Sequence, residues 1–176
     1  MRTYKRARIA GGVYFFTVNL TERRGNTLLV DHIATLRESF RVVCAVHPFD
    51  IDAVVVMPDH LHCIWRMPVG DDDYATRWRL IKARFSAAIP SGEYISSSRA
   101  RNGERGIWQR RYWEHVIRDE TDWRRHVDYI HYNPMKHGHV KAVREWPHSS
   151  FRRFVQRGEY PANWTAADSV IDLDCE

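Results

Sequence analysis

Two short runs of apolar and β-branched side chains fill residues 54–65 and meet at a Pro-Asp pair. This composition around a turn dipeptide predicts two consecutive β-strands, and it therefore commits the chain to a sheet. Because side chains alternate between the two faces of a strand, His60 and His62 in the second run share one face and Leu61 lies on the other. We expect a strand that presents two imidazoles side by side.

The His60 and His62 pair has the spacing of a metal site. Residues two apart on a strand lie about 6.5 Å apart at the backbone, so both imidazoles can converge on one ion. Neutral imidazole nitrogens bind divalent metals, and two protein ligands leave positions open for a third ligand, water or a substrate oxygen. The alternative is a chance His-x-His pair whose rings lie on a wetted face, and the motif alone leaves both interpretations open.

The chain length of 176 residues suits one domain with a hydrophobic core and is short for two. We expect a single domain over residues 1–176, with a basic leader at 1–10, a mobile loop at 90–106 and a C-terminal extension at 145–176. Lys and Arg outnumber Asp and Glu by 27 to 22, and 12% of residues are aromatic. Such a balance favours an anionic polymer as partner, although a basic protein without such a partner remains the alternative.

The three cysteines, Cys44, Cys63 and Cys175, are far apart and form no Cys-x-x-Cys pair. Neither a disulfide framework nor a zinc ribbon is indicated, which favours a reducing compartment. No window approaches eighteen apolar residues, and the N-terminus has no apolar stretch of the signal-peptide kind. We therefore expect a cytoplasmic protein that does not bind membranes.

The order of predicted elements defines a fold class. Besides the His-x-His strand, the patterns predict strands at 13–20, 50–56 and 107–117, and helices at 31–46, 71–88 and 119–139. The order β, α, β, β, α, β and then a further helix matches a ferredoxin-like antiparallel sheet of the α+β class. In that topology the first and third strands are central, so the two histidines would lie mid-sheet on the face that the first two helices leave open.

The last helix carries a second informative pattern. Tyr129 and Asn133 are four residues apart and therefore share one flank of its apolar stripe, while Tyr132 points about a quarter turn away. Pro134 is expected to kink the helix or end its regular part. If this helix crosses the open face of the sheet, it brings Tyr129 and Asn133 to the histidines. Taken alone, Tyr129 is much more typical of an amphipathic core tyrosine.

Basic residues and flexible glycines mark candidate contacts to a phosphate backbone, with plain solvation of the surface as the alternative. The candidates are Arg6, Arg8, Gly11 and Gly12 in the leader, Arg77, Lys82 and Arg84 in the second helix, Arg110 and Arg111 near the fourth strand, and Arg152 and Arg153 after the last helix. The aspartates at 71–73 are expected to cap the second helix, and an acidic metal site is the alternative.

Several spaced runs of the sequence resemble the REP-associated tyrosine transposases, which are single-tyrosine relatives of the HUH transposases. The runs are Pro-Asp-His-Leu-His-Cys-Ile-Trp at 58–65, Ile-Trp-Gln-Arg-Arg-Tyr-Trp-Glu-His at 107–115, Asp-Tyr-Ile-His-Tyr-Asn-Pro-Met-Lys-His-Gly at 128–138 and Trp-Pro-His-Ser-Ser-Phe at 146–151. The resemblance extends from about residue 11 to residue 164.

The resemblance implies a role for each matching residue. His60 and His62 become ligands of a divalent metal, Mg²⁺ or Mn²⁺, Asn133 the third ligand, and Tyr129 the nucleophile. The implied enzyme is a monomer or homodimer that cleaves and rejoins single-stranded DNA near hairpins through a 5′-phosphotyrosine. Two other classes compete with it, namely a metal-free two-histidine phosphoesterase, for which only the His-x-Ser at 148–150 fits, and a non-catalytic nucleic-acid-binding protein.

Overall fold

The computed structural model describes residues 6–166 and contains a four-stranded antiparallel sheet. Its strands are β1 (Val13–Asn19), β2 (Asp50–Val56), β3 (His60–Arg66) and β4 (Trp113–Val116), in the order β2-β3-β1-β4. Each neighbouring pair is antiparallel, and β1 and β3 are central. The predicted ferredoxin-like arrangement is therefore confirmed.

Six α-helices and one short 3₁₀-helix are described around this sheet. They are α1 (Leu28–Asp31), α2 (Ile33–Val46), α3 (Tyr74–Ala88), α4 (Ser97–Arg101), α5 (Glu120–Lys136), the 3₁₀-helix Val143–Glu145, and α6 (Phe151–Gln156). Among the residues that the model describes, no helix has both the length and the apolar character needed to cross a membrane.

One face of the sheet packs under α2 and α3. Leu61, Cys63 and Trp65 of β3 lie on this face and are fully buried. The Trp65 ring stacks on Trp78 of α3 with ring centroids 4.3 Å apart. A fully buried indole of this kind contributes about 3 kcal/mol or more to folding, so this face anchors β3 in its register.

The opposite face packs under α5 and α6. Phe15 of β1, Val55 of β2 and Ile64 of β3 join Ile130 of α5 and Phe151 of α6 in a second core. The last predicted helix therefore does cross the sheet face that α2 and α3 leave open. Because His60 and His62 also point to this face, the fold brings α5 to them.

The ends of the two long helices follow their sequence signals. Asp73 caps α3 by accepting a hydrogen bond from the Thr76 amide, and Asp71 forms an ion pair with Arg77. Both acids thus have structural partners, as the cap interpretation expects. In α5, Pro134 lies inside the helix, and Gly138 follows its end with φ +71°. A glycine tolerates this left-handed conformation, which closes the helix there.

The C-terminal extension covers part of the outer edge of β2. The Val56 amide donates to the carbonyl of His148, and the Ser150 amide donates to the carbonyl of Val54. These bonds satisfy backbone groups that an edge strand otherwise leaves open. Residues 1–5 of the expected leader and residues 167–176 of the expected extension lie outside the described part of the chain.

Three predicted segments differ from the structure. The predicted helix at 31–46 corresponds to α2, and the separate short helix α1 precedes it, with His32 between the two. The predicted strand at 107–117 forms only as β4, because Trp108 makes an isolated bridge to Leu20 and regular pairing with β1 begins only at Trp113. The segment at 90–106 includes α4 and an ion pair of Arg105 with Glu93, although its expected mobility stays a prediction.

Candidate active site

His60 and His62 lie on the α5 side of β3, as the strand alternation predicts. Their ring centroids are 4.9 Å apart, and the residues are 2% and 0% exposed. The expectation of a shared face is confirmed, whereas a wetted face is wrong. The pair is enclosed because α5 lies directly over β3 at this point.

Hydrogen bonds fix the orientation of both imidazoles. The Nδ1 atom of His60 lies 2.7 Å from Oδ1 of Asp59, whose other oxygen accepts from Arg23 Nε at 2.7 Å. The Nδ1 atom of His62 lies 2.8 Å from the Thr17 hydroxyl on β1. A carboxylate or hydroxyl on one ring nitrogen holds the other nitrogen ready as a ligand, which is the usual outer shell of a metal-binding histidine. Sequence reasoning missed these three partners, although Asp59 directly precedes His60.

The electrostatics favour neutral histidine at the centre of the site. Burial lowers the pKa of His62 well below its ordinary value, and the neighbouring His60 and His137 lower it further. Burial also raises the pKa of Asp59, but hydrogen bonds from His60 and Arg23 outweigh it and hold that pKa below its usual range. A neutral imidazole backed by an ionised carboxylate is the combination that binds a cation.

Tyr129 projects from α5 towards the two histidines. Its ring centroid is 5.2 Å from that of His62 and 6.0 Å from that of Phe15. Lys136, two helical turns further on, lies with Nζ 3.5 Å from the Tyr129 hydroxyl and 5.0 Å from the ring centroid. The residue is 1% exposed, so neighbouring side chains must move before a phosphodiester can reach the hydroxyl.

Asn133 lies one helical turn after Tyr129 and is fully buried. Neither its amide oxygen nor its amide nitrogen has a hydrogen-bond partner within residues 6–166, and the same is true of the Nε2 atoms of His60 and His62. An unsatisfied buried polar group costs about 1–3 kcal/mol, so three such groups need an explanation. Two imidazole nitrogens and an amide oxygen are suitable metal ligands, and these residues therefore fit a divalent cation.

A second cluster of metal-binding residue types lies at the start of α5. Single ligand atoms of His115, Asp122 and His126 all lie within 4.8 Å of one another. His115 Nε2 lies 2.9 Å from Oδ2 of Asp122, and His126 Nδ1 lies 2.8 Å from the carbonyl oxygen of Asp122. Burial raises the pKa of Asp122, but hydrogen bonds from His115 and Arg118 outweigh it and hold the pKa at about 2. These polar groups are already paired, and the His115–Asp122 bond ties α5 to β4 two turns before Tyr129. Sequence reasoning did not find this cluster because its members come from different elements.

Several candidate DNA contacts line one groove. This groove between α3 and residues 99–112 has a volume of about 790 Å³. Its lining includes Arg6, Lys82, Arg110, Trp108 and Tyr112. The Arg6 guanidinium lies 4.1 Å from the Tyr112 ring centroid. Burial lowers the pKa of Lys82 to about 8, so this side chain remains largely cationic at neutral pH.

The remaining candidates divide between surface and structural positions. Arg8, Arg84, Arg111 and Arg152 are exposed. Arg153 donates to the carbonyls of Ile51 and Asp52, and the Gly11 amide donates to the carbonyl of Asp71. A Cβ on Gly12 would lie 2.8 Å from the Ile9 carbonyl oxygen, so this glycine permits close backbone packing.

Arg77 is the clearest departure among the candidates. It is 3% exposed and directs its guanidinium to the Asp71 carboxylate and to the carbonyls of His47 and Pro48. A phosphate cannot reach it in this structure, which corrects the expectation of a DNA contact there. The charged pair instead fastens the start of α3 to the end of α2.

The chain matches the family model described as "Transposase IS200 like" over residues 11–133. It is 48% identical over 173 residues to the REP-associated tyrosine transposase of Escherichia coli (strain K12), covering 98% of this chain and 95% of that protein. A relative from Haemophilus influenzae, named for the same transposase group, is 42% identical over 165 residues, with 93% of each chain covered.

A solved structure is also similar over nearly the whole chain. It is described as a REP-associated tyrosine transposase bound to a REP hairpin. The TM-score is 0.86 and the sequence identity 46%, with 99% of this chain and 96% of the other covered.

Proposed function

Because the chain belongs to the REP-associated tyrosine transposases of the IS200-like transposase family, we propose that it cleaves and rejoins single-stranded DNA beside REP-type hairpins through a 5′-phosphotyrosine on Tyr129. One observation carries the proposal, which is that α5 holds Tyr129 with its ring centroid 5.2 Å from that of His62, next to Asn133. The nucleophile and the metal ligands thus meet at one point on the sheet.

His60, His62 and Asn133 would hold a divalent cation, Mg²⁺ or Mn²⁺. Their buried and unpartnered ligand atoms support this assignment. When bound, the cation would polarise the scissile phosphate and offset its negative charge. Asp59 and Thr17 then orient the two imidazoles, so the ligands are in position before the substrate arrives.

The covalent step uses the Tyr129 hydroxyl. Its oxygen attacks phosphorus, the new bond joins Tyr129 Oη to the 5′-phosphate, and the bond from phosphorus to the 3′ oxygen breaks. The phenol loses its proton and the departing 3′ oxygen gains one, so charge and atoms balance. Lys136, 3.5 Å from the hydroxyl, stabilises the phenolate that forms during attack and again when the tyrosine leaves.

The same intermediate allows strands to be rejoined. One phosphodiester is exchanged for a phosphotyrosyl ester of similar energy, so the 3′ hydroxyl of the same or another strand can reverse the attack. No nucleotide cofactor is required for this exchange. A nuclease that used water would instead lose the bond energy and could not rejoin the ends.

DNA is proposed to bind through the groove between α3 and residues 99–112 and through the exposed arginines. Arg6, Lys82 and Arg110 supply positive charge there, and Trp108 and Tyr112 place aromatic rings beside it. Cations beside aromatic rings suit both phosphates and unstacked bases. The affinity should therefore fall steeply with salt. We place this activity in the cytoplasm.

The test compares one REP-type sequence in three forms: a hairpin with a single-stranded flank, a fully paired duplex, and an unstructured strand. With Mg²⁺ or Mn²⁺, we expect a denaturation-resistant protein–DNA adduct with the first form and none with the duplex. Equal cleavage of the duplex would contradict the single-strand requirement. Equal cleavage of the unstructured strand would remove the hairpin from the proposal, and tight binding without any adduct would identify a non-catalytic DNA-binding protein.

A further inference from the structure

A third imidazole lies at the proposed metal site. His137 directly follows the last residue of α5 and is half-buried. Its ring centroid is 5.4 Å from that of His60, which is close to the 4.9 Å between His60 and His62. None of the sequence patterns singled out this residue as a ligand.

These separations are close to those of imidazoles that share one cation. A ligand nitrogen lies about 2.0–2.1 Å from a bound zinc ion, and the ring centre lies roughly 1.2 Å further out. For ligand angles of about 90–110°, two such ring centres are then about 4.5–5.3 Å apart. The 4.9 Å between the His60 and His62 centroids falls inside this interval, and the 5.4 Å between those of His60 and His137 lies just above it.

The helix register brings His137 to the same side as Asn133. The two residues are four apart, and the His137 amide donates to the Asn133 carbonyl at 3.0 Å, so the helical path continues to His137. The end of α5 therefore presents an amide and an imidazole towards the two histidines of β3.

We propose that His137 is a fourth protein ligand of the cation, so that the site binds through three imidazole nitrogens and one amide oxygen. This inference rests on the metal site of the proposed function. Four protein ligands leave two positions of a six-coordinate ion for phosphate oxygens. Nitrogen-rich donor sets favour transition-metal ions over Mg²⁺, so His137 should tune which ion the enzyme holds.

The test uses metal-free, full-length protein without DNA, titrated with Co²⁺ and with Mg²⁺ by calorimetry, together with the visible spectrum of the Co²⁺ form. The variant is His137→Ala, and the matched control is His139→Ala, which removes an exposed imidazole two residues later. We expect His137→Ala to weaken Co²⁺ binding at least about tenfold and to change the visible spectrum. Losing even a residue that only hydrogen-bonds to a metal ligand typically lowers metal affinity about tenfold or more, so losing a ligand should cost at least that much. Mg²⁺ binding should change by less than about threefold, and His139→Ala should change neither.

Unchanged Co²⁺ affinity and spectrum in His137→Ala would overturn the inference. A parallel His62→Ala titration separates this failure from failure of the proposed metal site. If His62→Ala weakens Co²⁺ binding and His137→Ala does not, only the fourth ligand is wrong. If neither variant changes Co²⁺ binding, the proposed metal site itself is wrong. Since loss of a helix-end side chain could also disturb folding, His137→Asn, which suits a helix end, should give the same Co²⁺ result with a wild-type melting curve.

Discussion

Asn133→Leu should stabilise the protein without metal while it removes metal binding. Asn133 is fully buried, and neither atom of its amide has a hydrogen-bond partner in the described part of the chain. Folding without a cation therefore removes this amide from water without giving it a new hydrogen bond. Leucine has a similar size and no polar atoms, so the substitution removes that cost and leaves α5 intact.

The magnitude follows from the cost of an unsatisfied buried amide. That cost is about 1–3 kcal/mol, and 1 kcal/mol shifts Tm by about 2–4 °C in a domain of this size. We expect the variant to melt roughly 3–10 °C above the wild type in a chelating buffer, measured by calorimetry. Adding cation at 100 times its Kd should then stabilise the wild type by about 2.7 kcal/mol and leave the variant unchanged.

Ser150→Ala is the matched control for this experiment. Ser150 is also buried, but its hydroxyl accepts from the Val54 amide and lies 2.9 Å from His131 Nε2. Removing a satisfied group should lower the free energy of unfolding by about 1–3 kcal/mol. A lower Tm for Asn133→Leu without metal would mean that the amide is satisfied in solution, and the assignment of Asn133 as a ligand would lose its support.

Three further predictions concern packing, pH and catalysis. Leu61→Asp should abolish the cooperative melting transition seen by circular dichroism, because Leu61 is fully buried under α2 and α3 and an unpaired charge there is costly. A melting curve like that of the wild type would mean that the Leu61 side chain faces away from this core. Between pH 7 and 5 the free energy of unfolding should fall by about 2 kcal/mol through His131 alone. Burial holds the pKa of His131 at about 3 in the folded protein, whereas this imidazole becomes protonated near pH 6.5 in the unfolded chain. Denaturant titrations at several pH values should show that His131→Leu lacks this loss of stability. Lys136→Met should slow adduct formation about a hundredfold in single-turnover assays with DNA affinity nearly unchanged, whereas Lys141→Met, at an exposed position, should have no effect.

Local periodicity was sufficient to predict most of the architecture. Alternation along one strand assigned His60 and His62 to a shared face, and a spacing of four residues assigned Tyr129 and Asn133 to one flank of a helix. The ferredoxin-like order then left one face of the sheet open for that helix to cross. These features follow from repeats that are fixed by backbone geometry.

Features that depend on contacts distant in sequence were not predictable in the same way. Arg77 has the pattern of a solvated basic residue, yet it is buried against Asp71 because the end of α2 packs beside the start of α3. The link from His115 to Asp122 joins a strand to a helix, and the 5.4 Å approach of His137 to His60 depends on where α5 ends over the sheet. Periodicity carries no information about such tertiary placement.

Mass spectrometry of the trapped protein–DNA adduct tests the central claim most directly. Full-length protein is incubated with a flanked REP-type hairpin and Mg²⁺ or Mn²⁺, then denatured and digested with protease and nuclease. We predict a 5′-phosphonucleotide on Tyr129, and no adduct from Tyr129→Phe, whose DNA affinity stays within a few fold of the wild type. An adduct on Tyr132, or one that persists in Tyr129→Phe, would contradict the account.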